Sequence, residues 1–284
     1  MTNEFTVQNW MKKLVKIPNE DSFSTDWSEN IFVVSDGVTR DPFEYLSNLN
    51  TVRGKAMFAY NYPRPSPAKF AADIFTRTFQ EVIKSYEPQN RYEHAILEAF
   101  EEGNERIEQW NKLYMREVDY LTRDFAGCVA AGVVLNQDSV CLGFISDCGV
   151  AIFDERGRLR FKTKDEGPDR YNEEIWQDPR LKDQDWINPK ARKIIRSEYR
   201  NNPQEKNSFG VLTGEESAIE YVRVSTQEIK PGEHLIVYSD GLEQTIFSEK
   251  FSEKLIQGDN AGLEKLCKTM VQTEGTLIHY RHLK

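Results

Sequence analysis

Ile31-Phe32-Val33-Val34-Ser35-Asp36-Gly37 is the stretch that decides how this chain is read. Four apolar residues, three of them β-branched, make a buried strand. The strand ends on an acid and a glycine. A carboxylate there stands at the rim of a sheet, where the backbone turns and a ligand can approach. The pattern returns late in the chain as Leu235-Ile236-Val237-Tyr238-Ser239-Asp240-Gly241. One Asp-Gly alone reads as a turn. Two strands that each deliver an Asp-Gly to a sheet edge can place both carboxylates on shared divalent cations. Hard cations such as magnesium take oxygen ligands, few of them from protein.

The bulk numbers fit that reading. At 284 residues, 39% hydrophobic and 12% aromatic, the chain can bury a real core, and global disorder is excluded. A net charge of −9 argues against a chain built to grip nucleic acid or an anionic membrane. No apolar run reaches the ~18 residues of a membrane span. The N-terminus MTNEFTVQNW has no signal-peptide core. Cys128, Cys141, Cys148 and Cys267 show no CxxC spacing and read as small core residues in a reducing compartment, so a cytoplasmic location is expected. The four histidines form no HxxxH or HxH cluster, so no zinc site is expected.

In chain order, residues 5–17 read as a short strand and its exit, closing on Lys16 and the polar run Asn19-Glu20-Asp21-Ser22. Residues 41–67, with Pro42, Pro63, Pro65 and Pro67, read as an irregular surface loop. Pro67 opens a helix to about Tyr86, with Ala71, Phe75, Phe79, Val82 and Tyr86 on one face. A second helix follows over 92–115, striped by Ile96, Phe100, Gly103, Ile107, Trp110 and Tyr114. Such a pair covers a sheet. From 126 the period changes: 127–135, 140–145, 150–153 and 159–163 read as an antiparallel meander, with Asp147 at a strand junction. Residues 164–210 lack clear periodicity and read as a flap with short helical pieces, among them 189–199. Strands resume at 222–224 and 235–238, helices fill 247–270, and 276–280 makes the last strand. One domain over 1–284 is the economical reading.

This ordering resembles the metal-dependent protein phosphatases, the PPM or type 2C Ser/Thr phosphatase family, in its bacterial form. The resemblance spans almost the whole chain. It rests on Lys16…Asn19-Glu20-Asp21-Ser22, Val33-Val34-Ser35-Asp36-Gly37, Ser146-Asp147-Cys148 and Tyr238-Ser239-Asp240-Gly241, in that order, with two helices between the first and third. It implies an α+β fold: a four-layer αββα sandwich of two antiparallel sheets flanked by helix pairs. It also implies two magnesium or manganese ions, with room for a third. Asp36 would bridge both metals, Gly37 offer its carbonyl, Glu20 reach one metal and Asp240 the other. Asp147 would help hold the third, and Lys16 grip phosphate. Asp36 and Asp240 are the catalytic pair so implied. The implied chemistry is hydrolysis of phosphoserine or phosphothreonine in a protein substrate by a metal-bridging hydroxide. A monomer is expected, with no nucleic-acid or membrane partner.

Departures from the family pattern define the alternatives. The last metal aspartate falls on Thr273, beside Glu274; Gln244 replaces an acid, and Lys16 an arginine that would fork onto two oxygens. Alternation along an extended chain turns Glu274 away if Thr273 is in the ligand position, so a gap at Thr273 is expected. A metal-impaired phosphatase-like domain that binds a phosphoprotein without efficient turnover is the rival reading. A nucleotide or small-phosphate hydrolase on the same metals is the third.

Overall fold

In the computed structural model the described residues are 2–9, 18–38, 51, 53, 60, 62–86, 92–114, 117–120, 124–168, 172–181, 188–271 and 273–283. Lys16 lies outside them, as do Thr39, Arg40 and most of the Pro-rich passage.

Among the described residues ten strands build two five-stranded sheets. They are β1 (Thr2–Gln8), β2 (Ser22–Asp26), β3 (Ile31–Gly37), β4 (Cys128–Asn136), β5 (Ser139–Ile145), β6 (Gly149–Phe153), β7 (Leu159–Lys162), β8 (Arg223–Glu228), β9 (His234–Tyr238) and β10 (Glu274–Arg281). One sheet has the order β2-β3-β4-β5-β8, the other β1-β10-β9-β6-β7, and the described pairings are all antiparallel. The alternation of β3 sends Phe32 and Val34 between the sheets, where the Phe32 ring meets Tyr280 of β10 at 5.6 Å. Val150, Ile152, Leu235, Val237 and Ile278 complete that interior.

Helix pairs cover the outer faces. α1 (Pro67–Ser85) and α2 (Tyr92–Tyr114) pack on the first sheet. Ser66 caps α1 by accepting from the Lys69 N–H, and Pro67 occupies the first turn. The expected stripe is buried at Ala71, Phe75, Phe79, Ile96, Phe100 and Ile107. Phe75 and Phe100 meet at 4.8 Å between ring centroids, Phe79 and Phe100 edge-on at 6.1 Å. The stripe ends early: Tyr114 is exposed.

The segment after β7 holds α3 (Pro189–Ile194), which runs into a π-helical turn, Ile195–Tyr199. The Arg200 guanidinium just beyond it donates to both oxygens of Asp124 at 2.8 and 3.0 Å, in a buried pair. Burial alone would raise the Asp124 carboxyl; Arg200 outweighs it and holds it below the usual range. On the second sheet, α4 (Glu249–Gln257) and α5 (Asn260–Met270) lay Phe251, Leu255, Leu263 and Cys267 over Phe5, Phe153, Ile236 and Leu277. Both sheets, both helix layers and their order agree with the expected αββα sandwich. No helix among the described residues is long and apolar enough to cross a membrane.

At the end of the sandwich far from Asp36, His234 and His279 lie buried with Nδ1 and Nε2 at 2.9 Å. Burial, helped by the charge of Arg281, lowers His234 to about 4; burial and its neighbour lower His279 to about 3. Below the ordinary histidine value the unfolded chain takes up protons that the fold refuses. Stability should therefore fall as pH drops from about 6.5 towards 4, by up to ~1.4 kcal/mol per pH unit for each histidine. A His234→Leu/His279→Leu double variant should flatten that slope. Urea midpoints at pH 7 and pH 5 check it: an unchanged difference between the two pH values would remove the pair as its source.

Candidate metal centre

Strand register explains which acids meet. Ser22 of β2 pairs with Ser35 of β3. Continuing one step puts Asp21 opposite Asp36, on the same face, and Glu20 opposite Gly37, on the other. The side chains follow this parity. Glu20 Oε1 accepts from Tyr62 Oη at 2.6 Å and from Ser66 Oγ, so its carboxylate braces the start of α1. Gly37 is required there, because a Cβ would lie 2.7 Å from the Ala68 carbonyl oxygen and 2.9 Å from that of Glu20.

The opposite sheet brings its own end to the same place. Ser239, at the exit of β9, donates from Oγ to Asp21 Oδ2 at 2.8 Å and accepts the Thr276 N–H at 2.9 Å. Asp240 follows, exposed at the rim. At Gly241 a Cβ would fall 1.8 Å from the Glu274 carbonyl oxygen, so only glycine lets the two chain segments touch. Glu274 is buried, and its Oε2 accepts the Glu20 N–H at 3.3 Å. One carboxylate oxygen each from Asp21, Asp36 and Glu274 lies within 4.8 Å of the others. Asp21 Oδ1 is buried with no hydrogen-bond partner among the described residues.

Asp147 reaches the same end from the β5–β6 turn, after Ser146 at φ +68°. A cleft of ≈ 300 Å³ opens over the group, lined by Asp36, Asp147, Asp240, Val38, Phe209 and Glu274, among others. Burial and then the charges of Asp21, Asp240 and Asp147 push the Asp36 carboxyl well above the ordinary range. Burial raises Asp21 too, although the Ser239 hydroxyl opposes it. Oxygen-only donors, crowded until they resist ionisation, with one buried lone pair unclaimed, suit a hard divalent cation. Cys148 beside them offers no thiolate nucleophile: burial and the surrounding carboxylates push its thiol well above its ordinary value.

The structure thus brings Asp36, Asp147, Asp240 and Glu274 to one cleft and sets the Glu20 carboxylate against α1. It differs from the expected gap at Thr273. β10 begins at Glu274, two residues before the expected strand, so Glu274 shares the inward parity of Thr276 while Thr273 is exposed. Asp21 is the acid that had been given no role. Its signal was available: the Ser22/Ser35 alignment of two strands joined by a short turn puts it beside Asp36. Lys16 lies outside the described residues.

No protein-family model matches this chain, and no curated protein matches it. Solved structures do. The Mycobacterium tuberculosis serine/threonine phosphatase PstP/Ppp superposes with a TM-score of 0.65 at 16% identity, over 100% of this chain and 99% of that one. The PstP catalytic domain in complex with two manganese ions gives 0.63 at 15%, over 100% and 98%. The PPM Ser-Thr phosphatase MsPP from Mycobacterium smegmatis gives 0.55 at 14%, over 99% and 98%. This chain has the fold of the bacterial PPM-type Ser/Thr phosphatases.

Proposed function

We propose that this protein is a metal-dependent phosphoprotein phosphatase acting on phosphoserine or phosphothreonine. The observation that carries the reading is the convergence of Asp21, Asp36 and Glu274 within 4.8 Å, beneath a cleft rimmed by Asp147 and Asp240. Asp36, Asp21 and Glu274 would hold one magnesium or manganese ion, and Asp36 with Asp240 and the Gly37 carbonyl a second. Asp147 stands at the rim where a third would bind. When bound, such cations offset phosphoryl charge and lower the pKa of water. The chain's own residues do the positioning. Ser239 orients Asp21, Glu20 fixes the start of α1 against β3, and Val38, Phe209 and Val211 wall the cleft. The likeness to a manganese-bound phosphatase fold supports the same reading.

The test is phosphate release from a phosphothreonine peptide with added Mn²⁺ or Mg²⁺, then with excess chelator. Release that requires the metal and stops with chelator is expected. Release that survives exhaustive chelation would overturn the metal mechanism. Peptide binding with no release at any metal concentration would favour the metal-impaired binding domain instead.

A further inference from the structure

β7 is the outer strand of its sheet and pairs with β6 alone among the described residues. It is exposed except at the half-buried Phe161. The Thr163 N–H bonds to the Val150 carbonyl, so the alternation of an antiparallel ladder turns the N–H and C=O of Lys162 to the open side. The strand also points at the cleft. Shortly past its end Gly167 sits against the Asp147 side chain, and Pro168 lines the cleft itself.

Charge singles this edge out. Arg156, Arg158, Arg160, Lys162 and Lys164 place a cation at every second position, in a chain of net charge −9. Three are matched internally: Arg158 by Asp154, Arg160 by Glu233 and Lys162 by Glu243. Arg156 and Lys164 have no ion-pair partner among the described residues. Beyond Lys164 a polar groove of ≈ 370 Å³ opens between the exit of β7, the loop around Lys206 and the start of β8. Lys206 likewise has no ion-pair partner among the described residues. Of the acids there, Glu166 is held by Arg223 at 3.0 Å, while Glu205 and Glu220 border the groove.

We propose that β7 and this groove are a docking strand for an acidic, extended segment of the protein substrate, which adds to β7 and leads the phosphorylated residue into the cleft. The proposal rests on the phosphatase reading and names the kind of substrate. Strand addition gives affinity through main-chain bonds and specificity through alternate side chains. Each described pairing in the sheet is antiparallel, so the docked segment runs away from the cleft and lies C-terminal to the phosphorylated residue. Acids at alternate positions meet the cations, and Leu159, 45% exposed, takes an apolar neighbour. Cations on an edge strand repel basic strands and are costly to cover with neutral ones, which leave them unpaired; an acidic strand is the partner they admit.

The experiment measures fluorescence anisotropy of a labelled, unphosphorylated peptide of alternating Glu and Val on the full chain with Mn²⁺ present. Aryl phosphate turnover is read separately, so failure of docking and failure of the phosphatase reading are distinguishable. The peptide should bind about tenfold more tightly than its Gln-for-Glu counterpart, and lose that advantage in Lys164→Glu/Lys206→Glu and in high salt. N-methylation of alternate peptide amides should abolish binding. The double variant should turn over aryl phosphate at the parent rate. Equal affinity for the Glu and Gln peptides, binding untouched by N-methylation, or loss of aryl phosphate turnover in the double variant would each overturn the proposal.

Discussion

Asp36→Asn should lower phosphate release by roughly 10²–10³-fold in kcat while leaving the metal-free protein at least as stable as the parent. Asp36 sits opposite Asp21 on the inward face of the sandwich, with Asp240 and Asp147 close enough to raise its carboxyl. Burial is the first cause of that rise and like charge the second. At neutral pH, without a cation, ionising this group works against the fold. The sign follows from linkage. A carboxyl whose folded value is raised binds more protons folded than unfolded, so its penalty grows as pH rises above the ordinary aspartate value. The amide removes that penalty and also the charge that holds a cation. The metal-free Asp36→Asn variant should thus match or exceed the parent in Tm at pH 7, by about 2–4 °C for each ~1 kcal/mol relieved. The gain should shrink at pH 4. Thermal melts at both pH values, beside turnover assays, check the two halves. A variant that loses stability at pH 7 and keeps its rate would reverse both.

The second large effect is at Glu274. Glu274→Gln should weaken manganese binding by roughly 10–100-fold and lower activity at limiting metal. Thr273→Asp should change little. Glu274 is buried, is tied to the Glu20 N–H, and lies within 4.8 Å of Asp21 and Asp36. Thr273 is exposed on the opposite parity. The amide keeps the size of the side chain and can still accept the Glu20 N–H, so folding should survive and the loss should appear in metal affinity. Activity across a metal series decides between the positions. Recovery of tight binding by Thr273→Asp alone, with Glu274→Gln silent, would return the ligand position to Thr273.

The sequence made the architecture legible through two signals that depend only on local pattern. Alternating and continuous apolar runs located the strands, and the three-and-four spacing of Phe75, Phe79, Ile96 and Phe100 located the helices over a sheet. Asp36 and Asp240 were legible as carboxylates at strand ends for the same reason. What escaped depended on parity relative to a partner strand. Glu20 and Asp21 are adjacent and chemically alike, and only the pairing of Ser22 with Ser35 says which of them faces Asp36. The family spacing puts the ligand position at Thr273, three residues before Thr276, whereas alternation back along β10 puts Glu274 on the inward side that Thr276 occupies. Ser239 bridges Asp21 and the Thr276 N–H across the sandwich, a contact between segments far apart in sequence that no local pattern announces.

The central claim is that the Asp21–Asp36–Glu274 group is a divalent-cation site, and calorimetric titration of metal-free protein with Mn²⁺ tests it most directly. The parent chain should show saturable binding that is lost in Asp36→Asn and weakened in Glu274→Gln. Titrations of the parent and Asp36→Asn that superimpose, or a parent that takes up no manganese, would contradict it.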